Sequence, residues 1–215
     1  MQLVDRDYII MRELNRWRFA LGRHIQHIAG FPSTRTTDRR LTKLIQMGYI
    51  ERKKVIYGTP SIYTLTAKGM SLINKKSNEG KIRIEQIIHD IAVLDTFIYY
   101  IKSQKIDKAE VITEKEMHGL DGFGVRKHQP DFIIKKTQTC VEVEISLKAK
   151  DRLNKIIENN FKEYQGQIWV VPSAEHKIIE IIEKAMEKYT EIQLMALEEV
   201  QKYVREINAD RNNAE

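Results

Sequence analysis

The sequence predicts a mixed chain, an α+β module followed by an α/β domain, and three observations predict it. Residues 1–76 carry 15 Lys and Arg against 5 Asp and Glu, while the remainder carries 21 against 25, so two parts of opposite charge share one chain. In the front part, apolar residues recur at helical spacing and then give way to a short hairpin pattern. From residue 82 the period alternates between helix and strand, the pattern of a layered α/β domain.

The front elements follow in order. Arg6 to Arg18 places Ile9, Ile10, Leu14 and Trp17 at helical spacing. Leu21 to Ala29 is a second helical stretch, with Ile25 and Ile28 inward and Gly30 closing it. Pro32 and an N-cap at Ser33 or Thr34 open a third helix, whose apolar side is Leu41, Leu44, Ile45 and Met47. Tyr49 to Tyr57 reads as a basic strand, Gly58 to Ser61 as a turn, and Ile62 to Leu65 as the return strand. Thr66 to Asn74 reads as a further helix.

Three helices, a hairpin and a helix is the order of a winged helix-turn-helix. The stretch RRLTKLIQMGYIERKKVIYGTPSIYTLTAKG resembles the MarR-type winged helix, with Tyr-x-Leu-Thr-x-Lys-Gly leaving the wing. On this reading Arg35, Thr36, Thr37, Arg39, Arg40 and Lys43 are the exposed positions of a recognition helix in the DNA major groove. Arg52, Lys53 and Lys54 lie on the wing, where phosphate or minor-groove contact is expected.

The polar segment Lys75–Lys81 marks a boundary. The expected organisation is a DNA-binding domain at 1–76, a linker at 77–81, an α/β domain at 82–208 and a disordered tail at 209–215. The second part opens with a long helix from Ile82 to about Lys105, keeping Ile84, Ile87, Ile88, Ile91, Leu94, Ile98 and Ile101 in phase. Ala109 to Met117 reads as a strand, and a loop with three glycines follows. Gln129 to Lys148 reads as two strands joined by a polar turn. After it come a helix to Tyr164, a buried strand Gln167–Val171, a helix from Ala174 to Tyr189, a last strand Ile192–Leu197 and a charged helix Glu198–Asn208.

The chemistry is expected in Gln129–Lys148. A strand has a side-chain period of two, so Val141, Val143, Ile145 and Leu147 share one face and Glu142, Glu144, Ser146 and Lys148 the other. If the two strands pair, Asp131 sits beside those acids. Three carboxylates and a lysine at a sheet edge suit a hard divalent cation and a phosphate. Elsewhere the signals are weak. His24 and His27 have metal-ligand spacing but read as helix surface and core, and the lone Cys140 reads as inert.

An acid on one strand and Glu-x-Glu on the next is similar to the PD-(D/E)XK nuclease fold, here Pro130-Asp131, Glu142-Val143-Glu144 and Lys148. Glu144 stands where that pattern expects lysine. The resemblance implies Asp131, Glu142 and Glu144 as ligands of Mg²⁺ or Mn²⁺, with an acid of the first helix, Glu85, Asp90 or Asp95, completing the site. A MarR-like winged helix joined to such a domain resembles the replication-relaxation family, which includes the MOBC-class plasmid relaxases. The resemblance spans about residues 5–190, and Asp131, Glu142, Glu144, Lys148 and Arg152 match its pattern. Leu153 stands where the family has a tyrosine, and Tyr164 is the candidate nucleophile in its place.

The resemblance implies a DNA-binding protein of a plasmid or integrative element that binds an origin of transfer and nicks one strand with metal. Partners would be double-stranded DNA, a second copy of the chain as a homodimer, and conjugation or replication proteins. Two alternatives stand beside it: a catalytically inactive accessory or replication-control protein, and a MarR-like transcriptional regulator. No apolar run approaches the length of a membrane span and the N-terminus lacks a signal pattern, so a cytoplasmic location is expected.

Overall fold

The computed structural model describes residues 2–75, 82–121 and 127–213. The expected linker at 77–81, the centre of the glycine loop with Arg126, and the last two residues of the expected tail lie outside the described residues. The chain is mixed α/β and divides into two compact units: residues 1–94 with 204–215, and residues 95–203. Among the described residues no helix is long and apolar enough to cross a membrane.

In the first unit, helix α1 (Asp5–Trp17) precedes the short strand β1 (Ala20–Leu21), α2 (Gly22–Ile28) and α3 (Thr34–Gln46). Strands β2 (Ile50–Lys53) and β3 (Ile62–Leu65) lead into α4 (Ala67–Leu72). The sheet is antiparallel in the order β1-β3-β2. Helix α3 starts where a capping box fixes it: Ser33 Oγ accepts the Thr36 amide at 3.3 Å, and Thr36 Oγ1 accepts the Ser33 amide at 3.3 Å. The basic strand is shorter than its sequence suggests. Val55 and Ile56 leave the ladder and pack with Phe19, Leu21, Ile62, Ile87 and Ile91, because consecutive apolar residues cannot both face inward on a two-residue period.

The residues leaving β3 anchor α4 to the turn before β2. Thr66 Oγ1 caps Gly69 at 3.1 Å and donates to the Gly48 carbonyl at 2.6 Å. Lys68 Nζ donates to the Met47 carbonyl at 2.8 Å. Gly69 sits against the Tyr49 carbonyl so closely that a β-carbon would collide with it.

The second unit is built on a five-stranded sheet in the order β4-β5-β6-β7-β8: Val111–Thr113, Phe132–Ile134, Thr139–Val143, Gly166–Val171 and Ile192–Ala196. Helix α5 (Ile87–Ser103) passes from the first unit into the second, and a 3-10 turn at Ile84–Gln86 precedes it. Helices α7 (Lys150–Glu163), α8 (His176–Met186) and α9 (Leu197–Asn213) follow β6, β7 and β8. Strands β6, β7 and β8 run parallel, while β4 and β5 are antiparallel to their neighbours. One face packs Trp169 and Val171 under Leu153, Ile156 and Ile157 of α7 and Ile178 and Ile182 of α8. On the other, Phe132 meets Phe97 and Tyr100 of α5 edge to face.

Four expectations are corrected here. Only Val111–Thr113 of Ala109–Met117 is strand. Thr113 and Glu116 form a capping box that opens α6 (Glu114–Leu120), which takes in the start of the expected loop. The strand expected to run to Lys148 ends at Val143; Ile145 is half-buried and Leu147 exposed, so the alternation stops before them. Phe161, which helical spacing puts on one apolar phase with Leu153, Ile157 and Tyr164, is exposed and packs on Tyr189 with ring centroids 4.4 Å apart. Helix α9 continues past Asn208 to Asn213, into the stretch expected to be disordered.

Candidate functional site

The sequence points to two places, and the first is a basic face on α3 and the β2–β3 hairpin. Arg35, Arg39 and Lys43 are exposed and four residues apart, so they form one stripe along α3. The other expected α3 positions have structural duties. Thr37 is buried and donates to the Ser33 carbonyl at 2.8 Å. Thr36 is half-buried in the capping box. Arg40 turns away from the stripe and grips the buried carboxylate of Asp7 on α1, its Nε donating to Oδ1 at 2.6 Å. That bond and Asp7's charge outweigh partial desolvation and raise the Arg40 pKa further.

The hairpin cations are exposed but differently held. The Arg52 guanidinium lies 6.0 Å from the centre of the Tyr63 ring. Lys53 pairs with Glu51 at 2.5 Å, and Lys54 donates to the Thr59 carbonyl across the loop. Glu51 is held below the usual carboxylate range, chiefly by Lys53 and further by the Thr64 hydroxyl. Tyr57 at the loop tip is fully exposed.

The second place is the meeting of β5, β6 and α7. Phe132 on β5 faces Val141 on β6, and Asp131, which precedes Phe132, acts electrostatically on Glu142, which follows Val141. Asp131 Oδ2 accepts the Val143 amide at 2.7 Å. Glu142 is only 5% exposed, and its Oε1 gathers two partners: Asn160 Nδ2 of α7 at 2.9 Å and His128 Nε2 at 2.8 Å. Glu144 is buried too, continues the ladder by donating its amide to the Val170 carbonyl at 3.0 Å, and pairs with Lys148.

Burial pushes the Glu142 carboxyl up, against the pull of His128. Burial also opposes charge on His128, but the hydrogen bond to Glu142 and its negative charge outweigh this and raise the imidazole. Lys148 and Asp131 both act electrostatically on His128, in opposite directions.

Comparison with known proteins adds no relative. No protein-family model, curated protein or solved structure matches this chain.

The three expected metal ligands each have a separate partner. Asp131 holds a backbone amide, Glu142 holds His128 and Asn160, and Glu144 holds Lys148. Among the described residues no three His, Cys, Asp or Glu side chains are gathered around one point where an ion would sit. Of the first-helix acids, Glu85 is exposed in the 3-10 turn, Asp90 lies 3.2 Å from His89 Nδ1, and Asp95 is buried. His24 and His27 do not converge on an ion: His24 Nδ1 accepts the Leu21 amide at 3.3 Å, and His27 Nε2 lies 2.9 Å from Asn208 Oδ1.

Arg152 is exposed on the first turn of α7, and Leu153 beside it is fully buried in the core. Tyr164 is the extended residue that ends α7, half-buried, with its phenol pushed up to about 12 by burial and by Glu163. Burial likewise pushes the Cys140 thiol up, which keeps it protonated. Sequence reasoning missed two partners of Glu142. His128 reads as a histidine flanking the glycine loop, there either to touch a phosphate or only to be solvated, and Asn160 as one step of a helical stripe. The signal at Asn160 is a polar residue on the buried phase of α7.

Proposed function

We propose that this chain binds duplex DNA through its first unit, read as a winged helix-turn-helix. The carrying observation is the exposed stripe Arg35–Arg39–Lys43 on a capped, well-anchored helix. Such a stripe matches the spacing at which a recognition helix meets base edges and flanking phosphates in a major groove. Arg52 on the hairpin supports a neighbouring backbone contact. The resemblance to the replication-relaxation family makes the DNA target an origin of a plasmid or integrative element, and makes the second unit PD-(D/E)XK-like.

The test is duplex binding by fluorescence anisotropy across a salt series. The parent binds with a steep inverse dependence on salt, and R35Q/R39Q/K43Q flattens it by about 0.9 for each phosphate the helix ceases to neutralise. Equal binding by parent and variant would remove α3 as the reader.

A second reading adds metal-dependent nicking of one strand, favoured by the Asp131 charge acting on the buried Glu142 carboxyl beside β5 and β6. The residues fit a cation in part. Asp131 and Glu142 act electrostatically on each other, while Glu144 is tied to Lys148. Asp131 and Glu142 would hold Mg²⁺ or Mn²⁺, which when bound supplies a Lewis acid for the scissile phosphate. His128 and Asn160 orient the Glu142 carboxylate and restrain its protonation. Supercoiled plasmid carrying the element's origin, incubated with Mg²⁺ or Mn²⁺, tests this reading. Nicked product that disappears in E142Q supports it, and tight binding without nicking supports the accessory reading.

A further inference from the structure

Within the first unit a cleft of about 240 Å³ is lined by Gly22 and Arg23 of α2, by Thr34, Thr37 and Asp38 of α3, and by Arg205 and Asn208 of α9. We propose that this cleft takes a phosphate of the DNA backbone, so that α9 completes the DNA surface begun by α3. The inference rests on the DNA-binding reading and adds a contact which that reading does not contain.

The wall of the cleft is built rather than incidental. Asn208 is fixed from both ends of its amide: Nδ2 donates to the Val204 carbonyl at 2.6 Å, and Oδ1 lies 2.9 Å from His27 Nε2. Thr34 Oγ1 donates to Gln26 Oε1 at 3.1 Å, and Thr37 Oγ1 donates to the Ser33 carbonyl. The charged residues of the lining are Arg23, Arg205 and Asp38. A guanidinium offers a planar fork of donors that matches phosphate oxygens. Behind Thr34, Gln26 is buried and its Nε2 has no hydrogen-bond partner among the described residues, a spare donor one side chain from the wall.

Position selects the source of the phosphate. The cleft shares Thr34, Thr37 and Asp38 with the first turns of α3, and Arg35 and Arg39 of the exposed stripe are their sequence neighbours. A duplex lying along that stripe brings its backbone to the foot of the helix. Gly22 leaves the cleft open. A β-carbon there would stand 3.7 Å from the Tyr63 ring and 4.0 Å from Asp38 Oδ1, an ordinary van der Waals distance, so a side chain can be introduced at this wall without a clash at its first atom.

The experiment is the slope of log binding constant against log salt concentration for a labelled duplex, measured on the full chain. R23Q/R205Q flattens the slope by about 0.9, the change expected when one phosphate is no longer neutralised. Gly22→Leu reproduces that change with both arginines present, which separates loss of the cleft from loss of charge elsewhere. A slope unchanged in both variants, with circular dichroism like the parent's, overturns the proposal. Binding of inorganic phosphate or pyrophosphate by calorimetry is the second arm. Saturable phosphate binding that vanishes in R23Q/R205Q without any change of DNA slope assigns the cleft to a soluble phosphate ester and also overturns it. A parent that binds no duplex at all, while R35Q/R39Q/K43Q behaves the same, is instead the failure of the DNA-binding reading.

Discussion

Arg40 reaches 33 residues back along the chain to close on Asp7, its Nε donating to Oδ1 at 2.6 Å, and the carboxylate it meets is shut off from water. The pair ties α3 to α1. Asp7 also accepts the Val4 amide at 2.8 Å, so it closes the first turn of α1 at the same time. An arginine beside two cations that read as DNA contacts is therefore a strut of the unit that presents them.

Removing one side of that pair should cost more than removing a surface charge. Arg40→Ala leaves a buried carboxylate without its counter-ion, at a cost of about 3–5 kcal/mol. Asp7→Ala leaves Arg40, which keeps some access to solvent, and should cost less. Urea denaturation of both variants checks the order. At conditions where the variants stay folded, Arg40→Ala should keep the salt slope of DNA binding, whereas Arg39→Gln should flatten it by about 0.9. A slope change for Arg40→Ala equal to that of Arg39→Gln would restore Arg40 to the DNA face.

Gly69→Ala should destabilise the first unit by about 3 kcal/mol or more, although alanine is the better helix former by about 1 kcal/mol. The added β-carbon meets the Tyr49 carbonyl, a backbone atom between Gly48 and Ile50 that has little room to move. Thermal unfolding of the full chain measures the shift. A stabilised variant would mean that α4 slides freely on the turn.

The His128–Glu142 pair should make stability fall as pH rises. His128 has its folded pKa raised above the ordinary 6.5, so its contribution is complete below about 6.5 and is lost as pH climbs through the folded value. Glu142 is also raised, above 4.5, and ionising it inside the fold costs stability in the same direction from lower pH. Urea midpoints at pH 6 and pH 8 should differ for the parent and converge for His128→Gln. Parallel losses in both proteins would place the titrating group elsewhere.

No covalent link to DNA should form through Tyr164. Its phenol is pushed up to about 12 by burial and by Glu163, so it is harder to ionise than an ordinary tyrosine, which works against its activation as a nucleophile. Denaturing gels after incubation with supercoiled origin DNA and Mg²⁺ should show no shifted protein band. A shifted band that Tyr164→Phe abolishes would prove the opposite.

How far the sequence carried the structure depends on the range over which a signal acts. The cap at Ser33, the period of α7 and the run Gln167–Val171 are local, and the elements stand where those signals put them. Thr113-x-x-Glu116 is an equally local cap signal, but it is hidden inside a run that also alternates. Glu142 and Val143 sit on opposite faces as a strand requires, yet Glu144 and Lys148 pair because the chain has left the strand. The strut beneath the basic stripe and the pairs around Glu142 join residues far apart: Arg40 to Asp7, His128 to Glu142, Asn160 to Glu142. Nothing in spacing announces such pairs, since only the folded chain brings their elements together. Thr37 differs from its expected place by helical phase alone, one position from the exposed side.

Asp131 offers the sharpest separation of a structural duty from a chemical one. Its Oδ2 accepts the Val143 amide at 2.7 Å, which pins the start of β5 to the end of β6. Asparagine keeps a carbonyl oxygen in that place, so Asp131→Asn should retain the fold with a urea midpoint near the parent's. Alanine removes the acceptor and leaves the amide unsatisfied, at a cost of about 1–3 kcal/mol. Metal-dependent nicking, in contrast, needs the charge, so Asp131→Asn should abolish it as fully as Asp131→Ala. Equal stability of the two variants would deny the structural bond. A folded Asp131→Asn that nicks like the parent would take Asp131 out of the chemistry and leave it as the clasp between two strands.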